Sequence, residues 1–103
     1  MLTRVPEAMR ERAKQLSAEK HGNLRTMCET LLARFIAEKP YKARGFTWLQ
    51  PANKGTPGWV AYNVVVSDDL SARVKAESLK IEVSLTTMLY TALAWWIELD
   101  RKN

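Results

Sequence analysis

The chain has 103 residues, is 47% hydrophobic and 26% charged, and carries a net charge of +5. That is the length and composition of one ordinary globular domain, so a wholly disordered chain is excluded. No apolar run approaches the roughly 20 residues that span a bilayer, the first residues lack the apolar stretch of a signal peptide, and one cysteine with one histidine makes no metal cluster or disulfide. We therefore expect a cytoplasmic protein without metal or cofactor.

The positive charge is concentrated in the first half. Residues 1–45 hold ten Lys or Arg against five Asp or Glu, whereas residues 46–103 hold six of each. An excess of basic residues indicates a polyanionic partner, of which nucleic acid is the commonest. A surface that is basic without such a partner is the alternative.

The chain contains an internal repeat. A shift of 61 residues aligns residues 5–37 with residues 66–98 without a gap, and eleven of these 33 positions are identical. The identical pairs include Thr26/Thr87, Met27/Met88, Leu32/Leu93 and Ile36/Ile97. Two copies are too few for a solenoid, so the sequence predicts a duplicated folding unit.

The first copy predicts a strand followed by two helices. Residues 2–5 form a short extended stretch, and Pro6 favours the beginning of a helix. Gly22 ends that helix, Asn23 is a strong N-cap for the next one, and Pro40 ends the copy. Residues 39–58 then hold three prolines and three glycines, a composition typical of a linker.

The linker also contains Tyr41, Phe46 and Trp48. Aromatic residues bury large apolar surfaces. We therefore expect the linker to pack against the rest of the chain.

The second copy repeats the pattern. Residues 60–66 are rich in β-branched side chains, as strands are. Ser67 is a predicted cap for the third helix and Ser84 for the fourth. A unit of about 35 residues is too small to bury its own apolar stripe, so the two copies must fold on each other.

The fold class expected is therefore mostly α with a short two-stranded antiparallel β-ribbon. The strands pair across an approximate two-fold axis and the four helices supply the core. Residues 1–38 and 59–103 are the two repeats of one interlocked globular domain, and residues 39–58 join them.

The order of strand, helix, glycine turn, polar cap and second helix, present twice, resembles the Arc/MetJ-like ribbon-helix-helix family of DNA-binding proteins. The segments that carry the resemblance are Arg4-Val5-Pro6-Glu7, Gly22-Asn23-Leu24-Arg25-Thr26 and Val83-Ser84-Leu85-Thr86-Thr87. The tandem form resembles accessory factors of plasmid transfer and some plasmid regulators. The resemblance covers both repeats but not the linker.

The resemblance implies sequence-specific binding of double-stranded DNA, by a transcriptional regulator or a plasmid-transfer accessory factor. In this family the antiparallel ribbon enters the major groove, where strand side chains contact base edges. The beginning of each repeat's second helix approaches the flanking phosphates with its free N–H groups.

Strand alternation assigns the base-reading positions. If Val5 and Val66 face the core, the outward residues are Leu2, Arg4, Ala61, Asn63 and Val65. Arg4 suits guanine and Asn63 suits adenine. The apolar residues depart from the polar readers usual in the family, so either the strand phase is inverted or the protein depends more on phosphate contacts and DNA shape.

The predicted phosphate contacts lie where each repeat's second helix begins. They are Asn23, Arg25 and Thr26 in the first copy and Ser84, Thr86 and Thr87 in the second. Helix capping alone is the alternative for all six. The basic linker residues Lys39, Lys42, Arg44 and Lys54 are further candidates for phosphate contacts, with a solvated loop as their alternative.

Tyr90 and Trp95 occupy positions that are polar in the first copy. Either the linker covers this face, with Trp48 or Trp59, or the face meets a second copy of the chain or a partner protein. A protein-interaction module on the same fold, antitoxin-like or a scaffold, is therefore a rival function. A nucleic-acid binder without sequence preference is the other.

An enzyme is not expected. The sequence has no GxSxG, P-loop or HExxH motif. One histidine and one cysteine are too few for most arrangements of nucleophile, base and orienting group. His21 lies at a predicted helix end, and Cys28 aligns with Leu89, which predicts a buried thiol.

Overall fold

The computed structural model describes residues 1–102, which form four helices and one two-stranded antiparallel sheet. In chain order the elements are strand β1 (Leu2–Pro6), helices α1 (Glu7–Lys20) and α2 (Leu24–Glu38), a 3-10 turn (Pro40–Lys42), strand β2 (Trp59–Asn63), and helices α3 (Asp68–Ile81) and α4 (Leu85–Lys102). Within this described part, none of the helices combines the length and the apolar character needed to cross a bilayer.

All four helices begin directly after the residues that the sequence predicts to precede them, Pro6, Asn23, Ser67 and Ser84. Asn23 caps α2, with its Oδ1 accepting a hydrogen bond from the Thr26 N–H at 2.8 Å. Ser67 caps α3 in the same way, from the Leu70 N–H at 3.2 Å. Gly22 follows α1 with φ of 82°, a conformation that costs glycine little because it has no Cβ.

The two strands pair with each other, as expected for a β-ribbon. Leu2 lies opposite Asn63, and Arg4 lies opposite Ala61. β2 is shorter than the predicted strand over residues 60–66. Val64 still exchanges hydrogen bonds with Met1, at 2.7 and 2.9 Å, so the pairing extends one step beyond the strand.

The inner face of the ribbon packs against the helices. Thr3, Val5, Tyr62 and Val64 are all buried, while Leu2 is exposed. This alternation confirms the strand phase derived from Val5, and the inverted phase is excluded. The remaining core comes from all four helices, with these side chains among the most buried: Leu16, Met27, Leu31, Phe35, Val74, Met88, Leu89 and Leu93.

The lone cysteine belongs to this core. Cys28 is 1% exposed, and burial raises the pKa of its thiol to about 11. The thiol is therefore protonated near neutral pH and behaves as a small apolar group, as its alignment with Leu89 predicts.

The Tyr62 hydroxyl is buried and makes no hydrogen bond within the described residues. An unpaired buried hydroxyl costs on the order of 1–3 kcal/mol in lost hydration. Tyr62→Phe is therefore expected to raise the free energy of unfolding by about 1 kcal/mol. Urea unfolding measures this. Tyr41→Phe is the control, because the Tyr41 hydroxyl accepts a hydrogen bond from Lys39 Nζ at 3.4 Å. If Tyr62→Phe destabilises the protein as much as Tyr41→Phe does, the Tyr62 hydroxyl has a hydrogen-bond partner.

The linker packs on α2 through its aromatic residues. The ring centroids of Tyr41 and Trp48 lie 5.3 and 6.1 Å from that of Phe35. Tyr41 and Trp48 are themselves stacked, with centroids 5.3 Å apart. The prediction that the linker packs against the rest of the chain is confirmed.

An ion pair between Lys39 and Glu77 joins the start of the linker to α3. Lys39 Nζ lies 2.6 Å from a carboxylate oxygen of Glu77. The hydrogen bond from Lys39 lowers the pKa of the Glu77 carboxyl. A lowered folded-state pKa stabilises the protein above the unfolded value of roughly 4.3, and this stabilisation is lost as pH falls through the folded pKa.

Glu77→Gln should therefore lower the melting temperature at pH 7, and this deficit should shrink as the pH falls through the lowered pKa of Glu77. Thermal unfolding followed by circular dichroism over a pH series measures the difference. Glu19→Gln, an exposed change on α1, is the control. A deficit that is as large at pH 3 as at pH 7 would show that charge on Glu77 is not the cause.

Candidate nucleic-acid interface

The outer face of the ribbon brings the predicted base-reading residues together. Leu2 and Val65 are 63% and 49% exposed, and Ala61 and Asn63 are also exposed. Because Leu2 lies opposite Asn63 and Arg4 opposite Ala61, four of these five residues form two adjacent cross-strand pairs. The face is mainly apolar, with Arg4 and Asn63 as its two polar groups.

Arg4 is held in place by the linker. Its Nε donates a hydrogen bond to the Ala52 carbonyl oxygen at 2.7 Å, and the side chain is only partly exposed. This bond leaves the two terminal nitrogens of the guanidinium available, since an arginine head carries five N–H donors. The linker therefore fixes the orientation of the Arg4 guanidinium, and the N-terminal ammonium of Met1 is a second cation beside this face, 3.4 Å from Asn63 Oδ1.

The start of α2 lies open beside the ribbon. Asn23, Arg25 and Thr26 are all exposed. A pocket of 230 Å³ is lined by Arg25, Asn63 and Val65 together with Leu24 and Cys28, so the first turn of α2 adjoins the outer face of the ribbon. The unpaired N–H groups of a first turn and the positive end of the helix dipole favour an anion at such a position.

A second, larger pocket lies next to the start of α2. Its volume is 690 Å³, and it is bounded by α1, by the start of α2 and by β2. Arg10, Glu11 and Lys14 from α1 and Asn63 from the ribbon contribute to its wall, and Arg10 is ion-paired with Glu7 and Glu11 at 3.5 and 3.7 Å. Lys14, the start of α2 and Asn63, a predicted base-reading residue, are thus contiguous on this side.

The start of α4 is different. Ser84 is exposed and caps the helix, accepting from the Thr87 N–H at 3.3 Å. Thr87 is only 2% exposed, and its hydroxyl donates to Gln50 Oε1 in the linker at 3.0 Å. The Thr86 hydroxyl bonds inward to Thr3 Oγ1 at 3.0 Å. Of the three predicted phosphate contacts here, only Ser84 has an exposed side chain.

The basic residues of the linker divide into two groups. Lys42, Arg44 and Lys54 are exposed. Lys54 lies in a turn closed by a hydrogen bond from the Thr56 N–H to the Asn53 carbonyl at 3.1 Å. Lys39, in contrast, is bound to Glu77, so its charge is already paired within the chain.

Tyr90 and Trp95 are both contacted from within the chain. The Tyr90 ring packs edge-on against Trp59, with centroids 5.3 Å apart, and Trp95 packs against Phe35 at 5.4 Å. The linker reaches the same helix, where the Leu49 N–H donates to Thr91 Oγ1 at 3.0 Å. Trp59 and the linker therefore cover part of this face.

Comparisons with known protein families, with curated proteins and with solved structures found no match to this chain. Among residues 1–102 there is also no group of three or more His, Cys, Asp or Glu placed to hold a metal ion.

Proposed function

We propose that this chain is a tandem ribbon-helix-helix protein that binds double-stranded DNA in a sequence-specific manner through its ribbon. One observation carries the proposal. The shift of 61 residues that aligns the two copies makes Leu2 the equivalent of Asn63, and these two residues lie opposite each other in the ribbon. In a duplicated unit folded about a two-fold axis, a residue at the axis pairs with its own equivalent.

The helix boundaries support the same arrangement. α1 and α3 begin at Glu7 and Asp68, and α2 and α4 begin at Leu24 and Leu85. Both pairs of starting residues are separated by 61 positions, the shift of the repeat. Two strand-helix-helix units that share one ribbon are the architecture that the ribbon-helix-helix resemblance implies.

The outer face of the ribbon has the chemistry for reading base edges. The free terminal nitrogens of Arg4 fit the O6 and N7 atoms of guanine, and the Asn63 amide fits the N6 and N7 atoms of adenine. Each such pair contributes about 1–3 kcal/mol of discrimination against the wrong base. The apolar residues Leu2, Ala61 and Val65 suit the methyl group of thymine.

Phosphate contact is assigned to the start of α2. Arg25 supplies a charge there, and Asn23 and Thr26 supply polar side chains beside the free N–H groups. This arrangement positions the ribbon in the groove without contributing sequence information. The chain would serve as a transcriptional regulator or as a plasmid-transfer accessory factor, both of which need this binding activity.

The experiment is a selection from random duplexes, followed by titration of the selected site at several salt concentrations. We expect one preferred site and a log affinity that falls linearly with log salt. Because the two copies differ in sequence, the preferred site should not be a perfect inverted repeat. A salt slope without any preferred site would instead show a non-specific binder, and the absence of binding at low salt would overturn the proposal.

Two arginine variants separate base reading from phosphate contact. Arg4→Ala is expected to relax specificity at one base pair by about 1–3 kcal/mol. Arg25→Ala is expected to weaken binding to all duplexes alike and to reduce the salt slope by about 1. Competition titrations against single-base variants of the selected site measure both effects. If Arg4→Ala leaves the preference at every position unchanged, Arg4 does not read a base.

A protein-interaction module is the second candidate, and the exposed apolar side chains of the ribbon favour it. Leu2 and Val65 place apolar surface on the outer face at the position where the family usually has polar readers. This function predicts neither a preferred duplex nor a salt-dependent affinity for DNA. The same titration therefore distinguishes the two candidates.

A further inference from the structure

Part of the linker crosses the structure from α4 to the ribbon. Residues 49–58, here named the strap, are fixed at four points. The bonds run from the Leu49 N–H to Thr91 Oγ1 (3.0 Å), from Thr87 Oγ1 to Gln50 Oε1 (3.0 Å), from Arg4 Nε to the Ala52 carbonyl (2.7 Å) and from the Glu7 N–H to the Gly58 carbonyl (2.8 Å). The strap thus bonds to the first two turns of α4, to β1 and to the first residue of α1.

The strap makes the two helix starts unequal. Thr26 and Thr87 are the same residue at equivalent positions of the repeat. Thr26 is exposed at the start of α2, whereas Thr87 is buried and its hydroxyl is bonded to Gln50 of the strap. The difference therefore comes from the strap and not from the residue itself.

The charge of the two sides differs in the same direction. Arg25 on the α2 side has Thr86 as its equivalent on the α4 side, and Arg10, which is ion-paired with Glu7 and Glu11, has Ser71. The pocket beside the start of α4, with a volume of 540 Å³, has a mainly apolar wall that includes Leu79, with Lys75 and Glu82 as its charged residues. On the α4 side the Thr87 side chain is therefore covered and Arg25 has no charged equivalent, while Ser84 stays exposed and Lys75 lines the pocket.

From these observations we propose that the strap covers the start of α4 at Thr87. One chain then contacts the phosphates of a duplex on one side of the ribbon only. The inference rests on the proposed function and deepens it. Phosphates are held beside the start of α2, while the strap occupies the equivalent position beside α4 and orients Arg4 towards the groove. The footprint of one chain is then asymmetric, with more phosphate contacts on the α2 side of the ribbon than on the α4 side.

The two N-cap residues provide a matched pair of variants. Asn23→Ala removes the N-cap side chain of α2, and Ser84→Ala removes that of the equivalent helix α4. Both variants are therefore expected to lower stability in the same way. We expect Asn23→Ala to weaken duplex binding roughly tenfold, since a hydrogen-bonded contact to a charged group is lost, and Ser84→Ala to change it less than about twofold. Equal losses of affinity in the two variants would overturn the inference.

Phosphate-ethylation interference on the unmodified chain gives a second measurement. Ethylation is expected to block binding on one flank of the selected site only. In the variant Gln50→Ala/Thr91→Val, which removes the bonds holding the strap to α4, sensitive phosphates should appear on the second flank. Phosphates sensitive to ethylation on both flanks of the site, with the unmodified chain, would contradict the inference. A one-sided pattern that persists in the folded Gln50→Ala/Thr91→Val variant would contradict it as well.

These outcomes are distinct from failure of the proposed function. If the chain binds no duplex, the function itself is wrong and the interference pattern does not exist. If it binds a preferred duplex with symmetric phosphate contacts, the function stands and the role of the strap is wrong. Melting curves of each variant, compared with the unmodified chain, show which affinity losses come from unfolding.

Discussion

The substitution Asn63→Asp is expected to weaken duplex binding at least a hundredfold while the chain stays folded. Asn63 is exposed and lies opposite Leu2 on the outer face of the ribbon. A carboxylate there cannot donate to adenine, and a like charge placed against DNA costs several kcal/mol, where about 1.4 kcal/mol corresponds to a tenfold change. Fluorescence anisotropy with the selected duplex measures the loss.

The chain offers a matched control for this change. Gln15→Glu is also an amide-to-carboxylate substitution, at an exposed position of α1. It lowers the net charge by the same single unit as Asn63→Asp, but at a position away from the ribbon. We therefore expect an affinity loss of less than about threefold at moderate salt. If Gln15→Glu weakened binding as much as Asn63→Asp, the effect would come from net charge and the ribbon would not be the contact surface.

Phe35→Ala is expected to have the largest effect on stability. Phe35 is fully buried, and its ring contacts three others, those of Tyr41, Trp48 and Trp95. Truncation of a buried phenylalanine costs about 3–5 kcal/mol, a large part of the 5–15 kcal/mol that is typical of a whole domain. Urea unfolding followed by circular dichroism and by tryptophan fluorescence measures the loss.

Leu79→Ala is the control for Phe35→Ala. The Leu79 side chain is 81% exposed on α3, so its truncation should change the free energy of unfolding by less than about 0.5 kcal/mol. A loss below about 1 kcal/mol for Phe35→Ala would show that the Phe35 ring is not packed against these three aromatic side chains.

Local sequence signals predict the ribbon phase and the helix ends. Strand alternation needs only one anchored residue, Val5, to assign the inward and outward positions on β1. Helix caps depend on neighbouring residues, as the bond from the Thr26 N–H to Asn23 shows. Such signals are complete within a few residues of chain, and the structure agrees with them.

The path of the strap could not be predicted in this way. Residues 49–58 have no helical or strand periodicity, and their contacts join residues far apart in the chain, such as Gln50 and Thr87. The repeat also predicts the same environment for Thr26 and Thr87 because the residues are identical. Their different exposure depends on tertiary packing, which the repeat does not contain.

Positions at which the two copies differ in residue type are a signal for contacts between the halves. Tyr90 is aromatic at a position that is polar in the first copy, and it packs against Trp59. Its equivalent, Glu29, accepts a hydrogen bond from the Ser67 N–H and so ties α2 to the start of α3. A charged residue replacing an aromatic equivalent therefore also marks a contact between the halves.

The most direct test of the central claim is nuclear magnetic resonance mapping of the labelled chain during titration with the selected duplex. We predict that the largest shifts occur on the outer face of the ribbon, at Leu2, Arg4, Ala61, Asn63 and Val65, and at the start of α2. Shifts confined to α3 and the Leu79 pocket, with the ribbon signals unchanged, would contradict the account.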